Sequence, residues 1–176
     1  MNTQTKGCLT EQKCFVKCLE AGYMISKPLF DNARYDFILD TGNQLLRIQV
    51  KSSAWNEDHS AFTFNGYSQH SLGNGNKRMK YTNKEIDYFM TEKDEQFYLY
   101  PATEEGFVSK CLRIFSKATN QANINWAKDY LFEEVSKNFY NRFKTVEGNS
   151  SVGSNPTLSA TKMRTAKLPT LTGTVF

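Results

Sequence analysis

Apolar and polar positions alternate most clearly over residues 34–52, and this pattern predicts a β-hairpin. Two runs, RYDFILD (34–40) and LLRIQVKS (45–52), flank the polar turn TGNQ. Residues two apart share one face of a strand, so one face of the hairpin is apolar: Phe37, Leu39, Ile48 and Val50. The opposite face is polar: Asp36, Arg47, Gln49 and Lys51. A turn at 41–44 places Ile38 opposite Arg47, and it brings the Asp36 carboxylate to the Gln49 carboxamide.

Weaker patterns predict the other elements. Thr10 is a suitable N-cap, Glu11 suits a first helical turn and Gly22 suits a C-terminus, so we expect a helix over Thr10–Ala21. The polar, Gly-rich stretch 55–80 contains one brief strand, and further strands and a closing amphipathic helix complete the chain: Tyr23–Lys27, Ala61–Phe64, Phe97–Tyr100, Cys111–Phe115 and the helix Asn125–Phe143. The order of elements predicts an α/β or α+β fold with a mixed sheet flanked by helices.

The length of 176 residues fits one globular domain, which we place at 1–146. Residues 147–176 are rich in Ser, Thr, Gly and Asn and show no helical or strand period, so we expect a disordered tail. No apolar run approaches the roughly 20 residues of a membrane span. The N-terminal stretch MNTQTKGCLTEQK has no apolar segment typical of a secretory signal. We therefore expect a cytoplasmic protein without a membrane partner, associated with the nucleoid if it is bacterial.

The four cysteines form no CxxC pair, so a disulfide scaffold is disfavoured. Cys14 and Cys18 share a helix face, and with His59 or His70 they raise the question of zinc. No second ligand pair has a suitable spacing. Cys14 and Cys18 are better explained by helix packing, and Cys111 by a place in a core strand.

The net charge of +4 is uneven. Residues 148–176 contribute +3 through Lys162, Arg164 and Lys167, so the domain is close to neutral. Its strongest basic cluster is Lys77, Arg78 and Lys80, within NGNKRMK. This cluster is either a solvated loop or a DNA-contacting loop that binds phosphates. Five other bases could extend that surface: Arg34, Arg47, Lys110, Arg113 and Lys117.

The polar face of the hairpin carries candidate catalytic chemistry. Asp36 offers an anionic oxygen and Gln49 a neutral carbonyl oxygen, and Mg²⁺ binds such oxygens together with water and phosphate. Lys51 could hold or activate an attacking water. Glu11 could add a second carboxylate. The alternatives are an ordinary Asp36–Lys51 ion pair on an exposed sheet, and a Glu11 that only stabilises the helix N-terminus.

An ordered set of motifs resembles the PD-(D/E)XK nuclease superfamily, in particular the group I intron-encoded homing endonucleases of PD-(D/E)XK type. The motifs are KGxxxE (6–11), AGY (21–23), Pro28, RYDFILD, RIQVKSS, IDYF (86–89) and FYLYP (97–101), and they span about 6–115. The chain departs from the usual pattern at Tyr35, where Pro is common, and at Gln49, where Asp or Glu is common. The resemblance implies a restriction-endonuclease-like fold, with Asp36, Gln49 and Glu11 holding Mg²⁺ and with Lys51 as a catalytic residue.

This resemblance implies hydrolysis of phosphodiester bonds in double-stranded DNA at a specific site. One active site per subunit and two strands to cut favour a symmetric homo-oligomer, a dimer or a tetramer, and a pseudo-palindromic target. Gly153–Pro156 can be encoded by codons that resemble the T-arm of a tRNA gene. The tail is thus interpreted as translated tRNA exon, and the target as a tRNA gene.

Three other functions stay open on the sequence. The chain could be a catalytically inert, sequence-specific DNA-binding module on a nuclease fold. It could be a restriction or junction-resolving nuclease. It could also be an oligomeric structural protein whose hairpin charges are incidental, which predicts no salt-dependent DNA binding.

Overall fold

The computed structural model describes residues 2–30, 32–72, 75–115 and 123–141. The predicted tail, 147–176, lies outside them, so its disorder and its exon origin stay predictions. In the described part of the chain, no helix combines the length and the apolarity that a membrane span needs.

The first helix, α1 (Thr3–Glu20), begins seven residues before the predicted start. The side chain of Asn2 caps it by accepting a hydrogen bond from the Thr5 backbone N–H at 2.8 Å. Thr10 is buried in the middle of the helix instead of capping it. Glu11 therefore lies in the third turn, where a helix N-terminus has little influence, and the first-turn explanation of Glu11 is wrong.

Five strands form the main sheet, in the order β1–β2–β3–β8–β9. Their bounds are β1 Met24–Ser26, β2 Phe37–Asp40, β3 Leu45–Val50, β8 Tyr88–Lys93 and β9 Gln96–Pro101. Only the β3–β8 pair is parallel, so the sheet is mixed as predicted. The predicted hairpin is confirmed, with Ile38 opposite Arg47 in its register. No strand was predicted from the sequence at the position of β8.

The stretch 55–80 is not the loop with one brief strand that the sequence suggested. It takes part in a three-stranded antiparallel sheet and in a two-stranded ribbon. The sheet consists of β4 Ser53–Trp55, β5 Ala61–Asn65 and β10 Ser109–Arg113, and the ribbon of β6 Tyr67–Leu72 and β7 Gly75–Lys80. Cys111 in β10 is exposed, so its predicted place in the core is wrong.

Two apolar cores lie on the two faces of the main sheet. One face, with Phe37, Leu39 and Ile48, packs against Cys14 and Cys18 of α1 and against Phe132 and Phe139 of α2 (Phe132–Asn141). A one-turn 3₁₀ helix, Ala127–Tyr130, precedes α2 and takes up the start of the predicted closing helix. The second core holds mostly aromatic side chains from β5, β8 and β9, and it also contains Tyr81. Gln49 belongs to this second face, because it alternates with Ile48 and Val50 along β3.

Candidate active site

Asp36 directly precedes β2, and its backbone and side chain both form hydrogen bonds with β3 at the open end of the hairpin. Its backbone N–H donates to the Ile48 carbonyl at 2.8 Å. Its Oδ2 then accepts two hydrogen bonds, from the Val50 N–H at 2.6 Å and from Gln49 Nε2 at 2.7 Å. The predicted meeting of the carboxylate and the carboxamide is therefore present. No hydrogen bond from the described residues reaches Oδ1 of Asp36, so this oxygen is available to another ligand.

Burial raises the pKa of the Asp36 carboxyl above its ordinary value. The hydrogen bond from the Val50 N–H opposes this shift, and the negative charge of Glu11 adds to it. Gln49 is itself buried, and its amide donates a second hydrogen bond, to the Val50 carbonyl at 3.2 Å. The pair is thus held by backbone and side-chain hydrogen bonds at the ends of two interior strands of the main sheet.

Lys51 follows β3, and its backbone N–H donates to the Met90 carbonyl at 2.9 Å, which extends the parallel pairing with β8. Burial lowers the pKa of the Lys51 ammonium to about 8, although the negative charge of Asp36 opposes this. No salt bridge joins Lys51 and Asp36 among the described residues, so the ordinary exposed ion pair does not form. The Lys51 ammonium lies instead 3.4 Å from the Tyr81 hydroxyl.

Glu11 lines a cleft of about 290 Å³ together with Asp36, Tyr35 and Phe30. The Glu11 carboxylate forms a salt bridge at 2.9 Å with Lys27, which also lines the cleft. Asp36 and Glu11 therefore line one open space, Asp36 from the start of β2 and Glu11 from α1. A phosphate or a cation that enters this space meets both carboxylates.

Two contacts fix α1 against the segment after Lys51. Lys6 Nζ donates to the Ser53 carbonyl at 3.0 Å, and the hydroxyls of Thr10 and Ser52 lie 3.2 Å apart. Lys6 lies more than one helical turn before Glu11, and Thr10 directly precedes it. Together the two contacts fix the position of Glu11 along the helix axis relative to the hairpin.

The predicted basic cluster does not lie in a loop. Lys77, Arg78 and Lys80 are exposed along β7, one strand of the antiparallel ribbon. Arg78 stacks over the Tyr67 ring at 4.9 Å, which reduces its freedom. A two-stranded ribbon is one of the elements that the major groove of DNA admits.

Two of the other bases are used inside the protein. Arg47 binds Asp87 at 3.1 Å and donates to the carbonyls of Asn83 and Lys84. Arg34 binds Glu85 at 2.9 Å. Both guanidinium groups are thus already paired with carboxylates, their contribution to a DNA surface stays a prediction, and Lys117 lies outside the described residues.

The sequence model of the PD-(D/E)XK endonuclease family matches residues 1–133. The chain belongs to the PD-(D/E)XK endonuclease family. Its match includes α1, the hairpin and Lys51, so the elements around the candidate site are the ones that the family shares. Membership makes this chain a nuclease of the PD-(D/E)XK class. None of the curated proteins matches the chain.

A solved structure shares the fold of this PD-(D/E)XK endonuclease. The bacterial homing endonuclease I-Ssp6803I aligns with a TM-score of 0.65 at 20% identity, over 85% of this chain and 100% of the other. At this identity the likeness concerns the fold. It confirms the restriction-endonuclease-like architecture predicted from the sequence.

Members of this endonuclease family typically use divalent metal ions, and the donor set here fits such an ion. Asp36 and Glu11 line the same cleft, and Gln49, whose Nε2 donates to Asp36, carries a neutral amide oxygen beside them. Mg²⁺ binds one or two carboxylates together with waters and phosphate. No group of three or more His, Cys, Asp or Glu side chains with metal-binding spacing exists in the described ranges.

Proposed function

We propose that the chain is a site-specific, Mg²⁺-dependent endonuclease for double-stranded DNA, and that it acts as a homing endonuclease. The observation that carries the proposal is the Asp36 carboxylate, which lines the cleft of Glu11 and which two hydrogen bonds on Oδ2 hold in place. A ligand oxygen held in this way is positioned before any ion or substrate arrives.

The proposed roles follow from where each side chain lies. Asp36 and Gln49 hold the metal ion, and Glu11 supplies a second carboxylate from α1. A bound Mg²⁺ would neutralise charge at the scissile phosphate and favour ionisation of a water. Lys51 donates to the attacking water or to the phosphate oxygens as negative charge develops there. Lys27, paired with Glu11 at the cleft, attracts the DNA backbone.

The test of this proposal is a cleavage assay with the purified full-length chain. Substrates are plasmids with and without intronless tRNA genes, because the tail suggests a tRNA gene as the target. Discrete double-strand cuts that need Mg²⁺ and stop with EDTA are expected. Sequencing of the ends then gives the target and its symmetry, and the mass in solution shows whether a dimer or a tetramer cuts it. Absence of cutting on these plasmids and on a randomised library would refute the proposal.

An inert DNA-binding module is the second candidate, because Gln49 leaves the pair on the hairpin with a single carboxylate. It predicts specific DNA binding without cutting, with an affinity that EDTA does not change. The same plasmids, followed by footprinting, distinguish this candidate from the nuclease.

The ribbon is proposed to contact DNA phosphates. We expect Lys77→Gln/Lys80→Gln to weaken DNA binding about equally on all sequences. The slope of log K against log salt should become shallower by about 0.9 per lost phosphate contact. The measurement is a fluorescence titration of labelled duplex at several salt concentrations.

A matched control for this change is Lys128→Gln/Lys137→Gln, which removes two exposed lysines at and beside α2. We expect this control to keep the salt slope of the wild type. Equal slopes for the ribbon variant and the control would show that the ribbon does not contact the backbone.

The substitution Gln49→Glu tests whether this pair binds a metal ion. In Gln49→Glu, two carboxylates would lie at the hydrogen-bonding distance that now separates Gln49 from Asp36, and they would repel each other. We expect this variant to melt at a lower temperature than wild type in EDTA and to gain more melting temperature from Mg²⁺. Calorimetry with and without Mg²⁺ measures both. The matched control is Gln69→Glu on β6, for which Mg²⁺ should raise the melting temperature no more than in wild type.

A further inference from the structure

Tyr81 lies where the ribbon meets the candidate active site. It is the residue directly after β7, and its backbone N–H donates to the Gly66 carbonyl at 3.0 Å. Its side chain is only 5% exposed, and its ring packs edge-on against Phe89 of the second core. The ring is therefore fixed by the protein interior and not by solvent.

The Lys51 ammonium meets both parts of the Tyr81 side chain. Lys51 Nζ lies 3.4 Å from the hydroxyl and 4.5 Å from the ring centroid. Lysine carries a point charge on a stem with four rotatable bonds, so a single backbone anchor does not set where the charge lies. In the described part of the chain no carboxylate forms a salt bridge with Lys51, which leaves Tyr81 as the contact that orients it.

Arg34 contacts the Tyr81 ring and the ribbon residues next to it. Its guanidinium stacks at 4.0 Å from the Tyr81 ring centroid, and it donates to the Ser68 hydroxyl at 2.6 Å and to the Lys80 carbonyl at 3.0 Å. Arg34 precedes Asp36 by two residues. The guanidinium therefore contacts both strands of the ribbon near the ends that lie closest to the site. It links the ribbon to the chain segment that carries Asp36.

We propose that Tyr81 is a positioning residue that orients the Lys51 ammonium for cleavage. This inference rests on the proposed nuclease function. Tyr81 acts through Lys51 and touches neither the metal ligands nor, on this view, the DNA. Its hydroxyl limits the ammonium to the side of the sheet on which Asp36 lies, since Gln49, Lys51 and Tyr81 all belong to the second face.

The first test is Tyr81→Phe, which removes the hydroxyl and keeps the ring. Single-turnover cleavage is followed at increasing protein concentrations, which gives a maximal rate and a half-saturating concentration separately. We expect the maximal rate to fall about tenfold, because misplacement of a catalytic group slows the chemical step. The half-saturating concentration should stay within about twofold of wild type, since DNA binding is not affected.

Tyr98→Phe is the matched control, because Tyr98 is a tyrosine of the same core with 4% exposure. A general loss of core stability would slow both variants alike. Equal maximal rates for the two variants would overturn the inference while leaving the nuclease function intact. A raised half-saturating concentration with an unchanged maximal rate would also overturn it, because Tyr81 would then be a DNA contact.

A second measurement does not depend on cleavage. Tyr81→Phe is introduced into wild type and into Lys51→Met, and urea unfolding is followed for all four chains. If the hydroxyl holds the ammonium, Tyr81→Phe lowers the urea midpoint more in the wild-type background than in Lys51→Met. Equal decreases in both backgrounds would show that the two side chains do not interact. If wild type cuts no DNA, the nuclease proposal fails, and this cycle still reports on the contact.

Discussion

We expect Lys51→Met to slow DNA cleavage severely and, at the same time, to make the fold more stable at pH 7. The loss of cleavage, about 10²–10³-fold or more, follows from removing a positive donor aimed at developing negative charge. The gain in stability follows from burial: removing the charge removes a desolvation cost that no salt bridge in the described ranges offsets. Plasmid cleavage and urea unfolding measure the two effects on the same preparations.

The stability gain expected for Lys51→Met depends on pH, because the Lys51 pKa differs between the folded and the unfolded chain. Burial lowers the pKa of Lys51 to about 8 in the folded chain, while an unfolded lysine has an ordinary pKa of about 10.4. Between these values the unfolded chain binds more protons, so the stability of the wild type rises with pH. Below pH 8 the cost is fully present. The advantage of Lys51→Met, about 1–3 kcal/mol at pH 7, should therefore shrink as the pH rises from 8 to 10.

Lys13→Met is the control for this prediction, since Lys13 is a well-exposed lysine paired with Glu92 at 3.1 Å. We expect wild-type cleavage from it and no gain in stability. A Lys51→Met chain that is less stable than wild type at pH 7 would show that the Lys51 charge stabilises the fold, against the argument from burial.

Asp36→Asn is expected to reduce cleavage by about 10³-fold or more, because it removes the carboxylate proposed to bind the metal and leaves no carboxylate on that face of the hairpin. The fold should persist. An asparagine oxygen in the place of Oδ2 can still accept from both the Val50 N–H and the Gln49 amide. Titration calorimetry with Mg²⁺ should show that metal binding is lost together with cleavage.

Asp40→Asn is the matched control, because Asp40 ends β2, the strand that begins directly after Asp36, and also accepts a hydrogen bond through its carboxylate, from the Gly42 N–H at 2.8 Å. We expect wild-type cleavage and Mg²⁺ binding from this variant. If both variants cut equally well, Asp36 is not a metal ligand and the proposed site is wrong.

The sequence was most informative where structure is local. The alternation through 34–52 predicted the hairpin and its register, because opposing residues there are close in the chain and one buried face sets the pairing. The meeting of Asp36 and Gln49 followed from that register alone. Metal-binding, catalytic and DNA-binding roles for the predicted residues stay predictions, since the fold brings these side chains into place without testing their chemistry.

The errors arose where polar residues take regular structure. The ribbon has no apolar face, so its sequence shows no alternation of apolar and polar residues. Its two strands were therefore predicted to be a loop. The start of α1 depends on Asn2 and on tertiary contacts of Lys6 and Thr10, which no local pattern shows. Tyr81 was missed because its partner Lys51 is 30 residues away and nothing near Tyr81 in the sequence points to it.

The order of strands in the main sheet has a consequence for the timing of folding. The Asp36–Gln49 pair joins residues 13 apart, whereas β3 meets β8 across 40 residues, as in the Arg47–Asp87 contact. Local hairpins form within about 1–10 μs, and non-local parallel pairing is intrinsically slower. During synthesis the proposed ligand pair can therefore exist before β8 has left the ribosome. The Lys51 ammonium reaches its place only later, so a nascent chain would acquire an ion site before it acquires the ability to cut DNA.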